Sequence, residues 1–159
     1  MIEDFESANL QFETTAFNKA EWTRSHASVD PPTTVFEGNY SGMGILDDEK
    51  NYLQIITKKI FEELPKQGIP VFIELNFKTN TTIVLSLMSY HSGVGESKDL
   101  IYLSPTDQWK KIYINLTSSL SYDLNTHEYK FLVSANHTNG NEETIVLLDN
   151  FKVVYRDIE

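Results

Sequence analysis

The fold is indicated by a stretch in the middle of the chain with the sequence Val71-Phe72-Ile73-Glu74-Leu75-Asn76-Phe77-Lys78. Its apolar residues occupy alternate positions, and Glu74, Asn76 and Lys78 take three of the positions between them. Side chains of a β-strand alternate between its two faces, so this pattern predicts a strand with one buried face. A turn at 80–82 follows, and the next predicted strand begins at Ile83 and ends at Tyr90.

The same period of two recurs along the chain and predicts about nine short strands. The further strands are expected at Ile2–Phe5, Tyr40–Leu46, Tyr52–Thr57, Ile101–Leu103, Trp109–Leu116, Tyr129–Ala135 and, as one long strand bent near Asp149-Asn150, Ile145–Tyr155. Two hairpins are expected, one around 47–51 and one around 139–141. Residues 58–64 and 117–124 allow helical turns, and residues 7–34 are expected to form a long loop with one strand near Trp22.

Many short strands separated by turn residues are typical of a β-sandwich or a β-barrel. We therefore predict an all-β fold, a two-sheet antiparallel β-sandwich of the jelly-roll type. The chain has 159 residues and no internal repeat, which favours one domain over 1–159.

Composition excludes several classes of function. The formal net charge is −10, with 13 Lys and Arg against 23 Asp and Glu, so the chain is expected to bind no nucleic acid. No apolar run reaches the roughly 18 residues of a transmembrane segment. Cysteine is absent, which excludes disulfides, thiolate metal sites and cysteine nucleophiles.

Five phrases of the sequence occur in a recognisable order. They are Ile2-Glu3-Asp4-Phe5-Glu6, the glycine-rich stretch from Gly38 to Gly44, the strand at 71–78, Asp107 to Leu116, and the closing Leu148-Asp149-Asn150-Phe151-Lys152-Val153-Val154-Tyr155. This order resembles galactose-binding-like jelly rolls, the architecture of many carbohydrate-binding modules, and is similar in particular to uncharacterised surface lipoproteins of gut Bacteroidetes. The phrases are structural and carry no chemistry of their own.

The resemblance implies that the first and last strands lie side by side and that the protein is exported. Its expected location is the cell surface, the outer membrane or the periplasm. Proteins of this kind carry a leader and a lipidated cysteine before the folded domain, and neither is present in this sequence. Membrane attachment is therefore expected only through a lipid anchor lost upstream of Met1.

Three carboxylates are candidates for a metal site. Asp4 and Glu6 share one face of the first predicted strand, and Asp149 stands near the bend of the last one. If these strands are neighbours, the three side chains converge, and calcium prefers oxygen ligands in such numbers. The resemblance implies a structural calcium here, with Asp149 matching the closing Asp of the pattern. The alternative is that these side chains face solvent or cap turns.

Aromatic side chains are candidates for carbohydrate binding, because flat rings stack on the apolar C–H faces of sugars. Such rings are expected in loops or on an exposed sheet face, which makes Trp22, Tyr40, Tyr90 and Tyr122 candidates, and Tyr90-His91 leads into a glycine-containing loop that is suitable for a binding rim. The alternative for each ring is that it closes the end of the sandwich. Trp109 is assigned to packing.

No motif in the sequence identifies a reaction. The four histidines lack the spacing of a helix-borne zinc site, so surface positions are expected for His26, His91, His127 and His137. A glycosidase needs two carboxylates about 5–10 Å apart, and Glu74 on the polar face of its strand is a weak candidate for one of them.

Three functions therefore stay open, in decreasing order. The first is a non-catalytic, carbohydrate-binding accessory domain of an exported or surface lipoprotein, with a glycan as its partner. The second is a structural or adhesive domain that contacts another protein and has no small-ligand site. The third is a fragment of a glycoside hydrolase or lyase.

Overall fold

The computed structural model describes residues 2–28, 34–62, 64–66, 68–122, 126–138, 140 and 143–156, with only the backbone of Tyr122. It contains eleven strands and one short helix within those ranges. They are β1 Phe12–Thr14, β2 Glu21–His26, β3 Tyr40–Leu46, β4 Tyr52–Thr57, β5 Phe61–Glu62, β6 Val71–Thr79, β7 Ile83–His91, β8 Val94–Leu103, β9 Thr106–Asn115, α1 Thr117–Tyr122, β10 Glu128–Asn136 and β11 Thr144–Tyr155.

The strands form two antiparallel sheets that pack face to face, which confirms the predicted β-sandwich. The first sheet has the order β1-β4-β10-β7-β8, with β5 paired to β10, and the second sheet has the order β2-β3-β11-β6-β9. All strand pairs run antiparallel. No helix in the described part of the chain is long and apolar enough to cross a membrane.

Alternation of side chains creates the core between the sheets. On β6 the inward side chains of Val71, Ile73, Leu75 and Phe77 are at most 3% exposed. They meet the inward side chains of the other sheet, which include those of Leu53, Ile55, Ile83, Leu85, Phe131 and Val133. Burial of a large aliphatic side chain contributes about 1.5–3 kcal/mol, so this layer is the main source of stability.

The N-terminal segment lies beside the last strand, as the resemblance implies, but it forms no strand of its own. Its pairing with β11 is a single antiparallel bridge between Glu3 and Phe151. Phe5 has a backbone φ of 60°, a left-handed conformation that stops the extended chain and turns its ring into the core. The prediction of a strand over residues 2–5 is therefore wrong.

Both predicted hairpins link the two sheets instead. β3 lies in the second sheet and β4 in the first, and the turn between them is held by Asp47, whose Oδ1 accepts the N–H groups of Glu49 and Lys50. Residues 139, 141 and 142 lie outside the described residues, but β10 and β11 on either side of them belong to different sheets. A short polar turn between two apolar strands can join neighbours in one sheet or strands of different sheets, and the sequence pattern is the same in both cases.

Other predictions are confirmed or corrected in detail. The last strand is continuous and bent, with a β-bulge between Asp149 and Lys152, and helical turns follow β9 over Thr117–Tyr122. Residues 58–62 contain the short strand β5 and no helix. The stretch predicted as a long loop contains two strands, β1 and β2. The predicted short strand at Ile101–Leu103 is the end of the longer β8.

The glycine-rich strand β3 has a packing role. A Cβ atom on Gly42 would lie 2.5 Å from the Phe5 ring and 2.6 Å from the Trp22 ring. Only glycine leaves room for these two rings, which meet edge to face with their centroids 6.0 Å apart. The glycine at position 42 therefore allows the N-terminal segment to pack closely against the second sheet.

Candidate functional site

The outward face of the first sheet is the most suitable surface for a ligand. We call it the tyrosine face. It is formed by the side chains of Glu13 on β1, Tyr52, Gln54 and Ile56 on β4, Lys130, Leu132 and Ser134 on β10, Val84, Ser86, Met88 and Tyr90 on β7, and Asp99 and Tyr102 on β8. Within the described residues, no other strand or helix packs over it.

The tyrosine face is recessed at its centre. Ser86 and Leu132 are cross-strand neighbours that point outward, yet they are only 2% and 7% exposed. Neighbouring side chains therefore shield them from solvent, whereas Tyr102 at one side remains 64% exposed. A recessed floor with an exposed ring at its side is typical of a groove that takes a ligand.

Gln54 is held in place by two neighbours. Its Nε2 donates to the Tyr52 hydroxyl at 2.7 Å, and its Oε1 accepts from the Thr15 hydroxyl at 2.7 Å. Its backbone N–H donates to Asn18 Oδ1 at 2.9 Å. An amide that is fixed in this way loses little further conformational entropy when it binds a ligand.

Asp99 is held on the opposite side of the tyrosine face. Its Oδ1 accepts from the Ser86 hydroxyl at 2.8 Å, and its Oδ2 accepts from the Tyr102 hydroxyl. The hydrogen bonds from Tyr102 and Ser86 lower the pKa of this carboxyl below its ordinary value. The β-bulge between Leu85 and Ser86 sets the register that places Asp99 opposite Ser86. A charged acceptor and a tyrosine ring are thus fixed together.

A polar cleft of about 420 Å³ continues the tyrosine face at the tip of the β7–β8 hairpin. It is lined by Tyr90, His91, His127 and Glu128 together with the turn residues Ser92 and Gly93. Both turn residues have positive φ, as the tight two-residue hairpin requires. The structure thus brings Tyr90 and His91 together, although their role in carbohydrate binding stays a prediction.

The other aromatic candidates lie elsewhere. Trp22 on β2 is half-buried against the core with its indole N–H enclosed, and that N–H has no hydrogen-bond partner among the described residues. Tyr40 at the start of β3 contacts the His26 ring and lies under the Arg24 guanidinium at 4.1 Å. The side chain of Tyr122 lies outside what the structure describes. Trp22 and Tyr40 belong to the second sheet and do not share a surface with Tyr90, which belongs to the first.

The three predicted metal ligands line one pocket of about 350 Å³. Asp4, Glu6 and Asp149 surround it together with Glu37, Asn150 and Lys152. Several of their oxygens already accept hydrogen bonds: Asp4 Oδ1 accepts the N–H of Glu6, and Glu6 Oε1 accepts the N–H groups of Asn39 and Tyr40. No three His, Asp or Glu side chains in the described part of the chain are arranged to hold a metal ion. The calcium site stays a prediction.

Asp149 instead anchors a loop over the second sheet. Its Oδ2 accepts from the Ser41 hydroxyl at 2.9 Å and from the N–H of Glu37 at 3.2 Å, and its Oδ1 accepts the N–H of Asn150. Burial raises the pKa of this carboxyl to about 6, against the hydrogen bonds that lower it. The Phe36 ring of the same loop packs on Trp109 with the centroids 5.6 Å apart, consistent with a packing role for Trp109.

The outward face of the second sheet also carries an ion network. Glu74 Oε1 accepts from Lys111 Nζ at 2.8 Å and from Lys152 Nζ at 2.9 Å. The hydrogen bond from Lys111 is the largest of the effects that lower the pKa of Glu74 to about 2. Because Glu74 stays ionised, it cannot act as the general acid of a glycosidase near neutral pH.

The sequence matches no protein-family model and no curated protein. The structure does match solved structures. The family 11 carbohydrate-binding module of Clostridium thermocellum, solved with a β-1,3-1,4-mixed-linked tetrasaccharide, is similar with a TM-score of 0.61 and 18% identity over 98% of this chain and 94% of that one. The chain has the fold of a carbohydrate-binding module.

Two further structures support this fold. The CBM22-2 xylan-binding domain of Paenibacillus barcinonensis Xyn10C aligns with a TM-score of 0.61 and 12% identity over 92% of each chain. TmCBM61, solved in complex with β-1,4-galactotriose, aligns with a TM-score of 0.54 and 15% identity over 91% of this chain and 88% of that one. These structural matches confirm the fold that the resemblance implies. Because the sequence identities are low, the matches do not identify a ligand for this chain, and the argument for a ligand rests on its surface.

The sequence missed most of the tyrosine face. Tyr52 and Tyr102 lie within strands and were not among the predicted binding aromatics, although an exposed sheet face was one of the expected locations. One feature of the sequence could have identified them: both tyrosines alternate with core residues along their strands, so their side chains must point away from the core.

Proposed function

We propose that this domain binds a neutral glycan chain on the tyrosine face and has no catalytic activity. The observation that carries the proposal is the recessed, uncovered face with hydrogen-bonding groups fixed beside tyrosine rings. The similarity to modules described as binding xylan, galactotriose or mixed-linked glucan supports it. Rings stack on sugar faces, and the polar groups select the hydroxyl pattern.

The width of the face favours a chain over a single sugar. Tyr52 lies on β4 and Tyr102 on β8, with β10 and β7 between them. Three strand spacings of about 4.8 Å separate them by about 14 Å. That distance exceeds one sugar ring, so a ligand that reaches both tyrosines is an oligosaccharide lying across the strands.

Two carboxylates of the tyrosine face, Glu13 and Asp99, are too far apart to act as the pair of a glycosidase, whereas Glu62 and Glu128 on the same side of the sheet are cross-strand neighbours. Glu13 lies on β1 and Asp99 on β8, at opposite edges of the sheet and four strand spacings of about 4.8 Å apart. That separation of about 19 Å is well beyond the 5–10 Å between the two carboxyl groups of glycosidases. Asp99, moreover, is held in its charged form by Tyr102 and Ser86.

The test compares two tyrosines of nearly equal exposure on opposite sheets. Tyr102 is 64% exposed on the tyrosine face, and Tyr113 is 63% exposed on the second sheet. Loss of a stacking ring worth about 1.4 kcal/mol makes Tyr102→Ala bind about tenfold more weakly. Affinities are measured by calorimetry with xylohexaose, mixed-linked glucan tetrasaccharide and β-1,4-galactotriose.

Tyr113→Ala is the matched control and is expected to bind these neutral ligands like the unmodified protein. Equal weakening by both substitutions would contradict the assignment of the face. Absence of binding to any neutral glycan would contradict the proposed function and favour the protein-interaction alternative.

We further propose that the protein is exported and held at the cell surface, with calcium as a structural ion. Both follow the family resemblance. Fractionation of the producing cells with an antibody to this domain tests the location, and recovery in the cytoplasmic fraction would contradict it. A rise in the melting temperature with calcium over that in EDTA would support the ion, and equal values would speak against it.

A further inference from the structure

We propose that the outward face of the second sheet carries a separate binding site for an acidic sugar, one that bears a carboxylate or a sulfate ester. The site is formed by Glu74 on β6, Lys111 and Tyr113 on β9, and Lys152 on β11, which we call the lysine cluster. This inference is independent of the proposed function, because the cluster lies on the opposite side of the sandwich.

The charges of the lysine cluster do not balance. Two ammonium groups converge on a single carboxylate oxygen, at 2.8 and 2.9 Å, so the cluster carries one excess positive charge. One lysine is enough to neutralise Glu74. The second places a further cation next to the first, at a cost in repulsion that an anionic ligand would relieve.

The ammonium groups remain accessible while the carboxylate does not. The side chains of Lys111 and Lys152 are 42% and 29% exposed, whereas that of Glu74 is 11% exposed. An ammonium has three N–H donors, and Glu74 takes one from each lysine. Lys111 also forms a side-chain hydrogen bond with Tyr113, so the remaining donors, one on Lys111 and two on Lys152, are available at the surface above a buried acceptor.

An exposed ring lies next to these donors. The Tyr113 side chain is paired across the strands with Glu74, and its ring centroid is 5.6 Å from Lys111 Nζ. Val154, 47% exposed on β11, continues the apolar surface beyond Lys152. An exposed ring beside two cations suits a ligand with a flat apolar face and a negative group on its edge, which describes an acidic sugar.

The surroundings of the cluster include one unpartnered amide and, next to Lys152, a pocket lined by the carboxylates of Asp4, Glu6, Glu37 and Asp149. Asn76, cross-strand neighbour of Lys111, is fully buried, and neither polar atom of its amide has a hydrogen-bond partner among the described residues. The next carboxylate along β11, that of Asp149, is occupied by Ser41 and Glu37. At physiological salt the Debye length is about 8 Å, so distant charges of the chain contribute little, whereas the carboxylates beside Lys152 favour the approach of an anion from the side of Lys111 and Tyr113.

The experiment is a titration followed by amide NMR of the ¹⁵N-labelled domain. The probes are trigalacturonate, which supplies carboxylates, a κ-carrageenan tetrasaccharide, which supplies sulfate esters, and neutral β-1,4-galactotriose as the control. We expect one or both acidic probes to shift the amides of residues 111, 113 and 152, and galactotriose to leave them unchanged. The probe that causes these shifts identifies the anionic group that the site recognises, a carboxylate or a sulfate ester.

Variants separate binding from a structural role. Lys111→Gln and Lys152→Gln are each expected to weaken binding of the acidic probe about fivefold, and Lys111→Arg to retain most of it. Lys98→Gln, on the other sheet, is the matched control and leaves binding unchanged. Tyr102→Ala also leaves it unchanged, so loss of neutral-glycan binding and loss of this site are distinguishable.

Two results would overturn the inference. One is the absence of shifts at the cluster with both acidic probes at millimolar concentration. The other is an equal response to galactotriose, because recognition would then not depend on charge.

Discussion

The outward faces of the two sheets are built by the same alternation of side chains but offer different surfaces. The tyrosine face is open, its polar groups are held by neutral side chains, and its centre is recessed. On the second sheet, the loop around Phe36 and Glu37 packs on Trp109 and Asp149, and an ion network crosses three strands. The residues beyond the strands therefore decide which part of each face is available to a ligand: the loop covers the second sheet around Trp109 and leaves Lys111 and Lys152 partly exposed.

The largest expected effect concerns the pH dependence of the covered face. The pKa of Asp149 is about 6 in the folded protein against an ordinary value of 3.8. The folded state therefore binds this proton more tightly, so the stability contributed by the group is full below pH 3.8 and is lost as the pH rises to 6. The loss is on the order of 3 kcal/mol at most.

Asp149→Asn is expected to remove this dependence. The free energy of unfolding, measured in EDTA, should differ less between pH 4 and pH 7 in this variant than in the unmodified protein. Any loss of stability that the substitution causes equally at both pH values cancels in this difference. An unchanged pH profile would contradict the assignment. Neutral-glycan binding on the tyrosine face should be the same at pH 5 and pH 7, because the pKa of Asp99 is lowered and not raised.

The next effect concerns the loop that covers the second sheet. Trp109→Ala removes a half-buried ring from Phe36 and is expected to lower the free energy of unfolding by about 2 kcal/mol. Urea titration measures the change, and calorimetry with a neutral glycan should show unchanged affinity. Lost glycan affinity in a folded variant would mean that the two faces are not independent.

A smaller effect concerns the fixed carboxylate of the tyrosine face. Asp99→Asn keeps the shape but removes the charge and one acceptor, so we expect neutral-glycan affinity to fall about fivefold, or about 1 kcal/mol. Glu74→Gln, which alters a carboxylate on the other face, is the control. An Asp99 variant that binds as well as the unmodified protein would show that this carboxylate does not touch the ligand.

The smallest effect concerns the amide on the other side of the groove. Gln54→Ala removes one hydrogen-bonding side chain and is expected to weaken binding about threefold, or about 0.7 kcal/mol. Thr15→Val removes the hydroxyl that fixes Gln54 without touching the face, and is expected to have a weaker effect in the same direction. The reverse order would imply that Gln54 acts through the loop and not on the ligand.

The sequence predicted the interior of this protein better than its surface. Strands β6, β7, β9, β10 and β11 follow from alternation, because their inward positions must be apolar to fill the space between the sheets. Alternation does not say which sheet a strand joins. The turn at 47–51 therefore looked like a hairpin, although it crosses from one sheet to the other.

The candidate site was only partly predictable for a related reason. Tyr90 and His91 were identified because a glycine turn follows them, whereas Tyr52 and Tyr102 were missed because the sequence does not show which sheet face is uncovered. The placement of these tyrosines on one face depends on the strand order β4-β10-β7-β8, and the position of Asp99 opposite Ser86 depends on the β-bulge in β7 and β8. Both are long-range features that no local pattern in the sequence specifies.

The central claim, that a neutral glycan binds to the open face of the first sheet, is tested most directly by amide NMR with a mixed-linked glucan tetrasaccharide. We expect shifts at residues 52, 54, 99, 102 and 134 and none at residues 74, 111 and 152. Shifts confined to the second sheet, or their absence on both sheets with this ligand, xylohexaose and galactotriose, would contradict it.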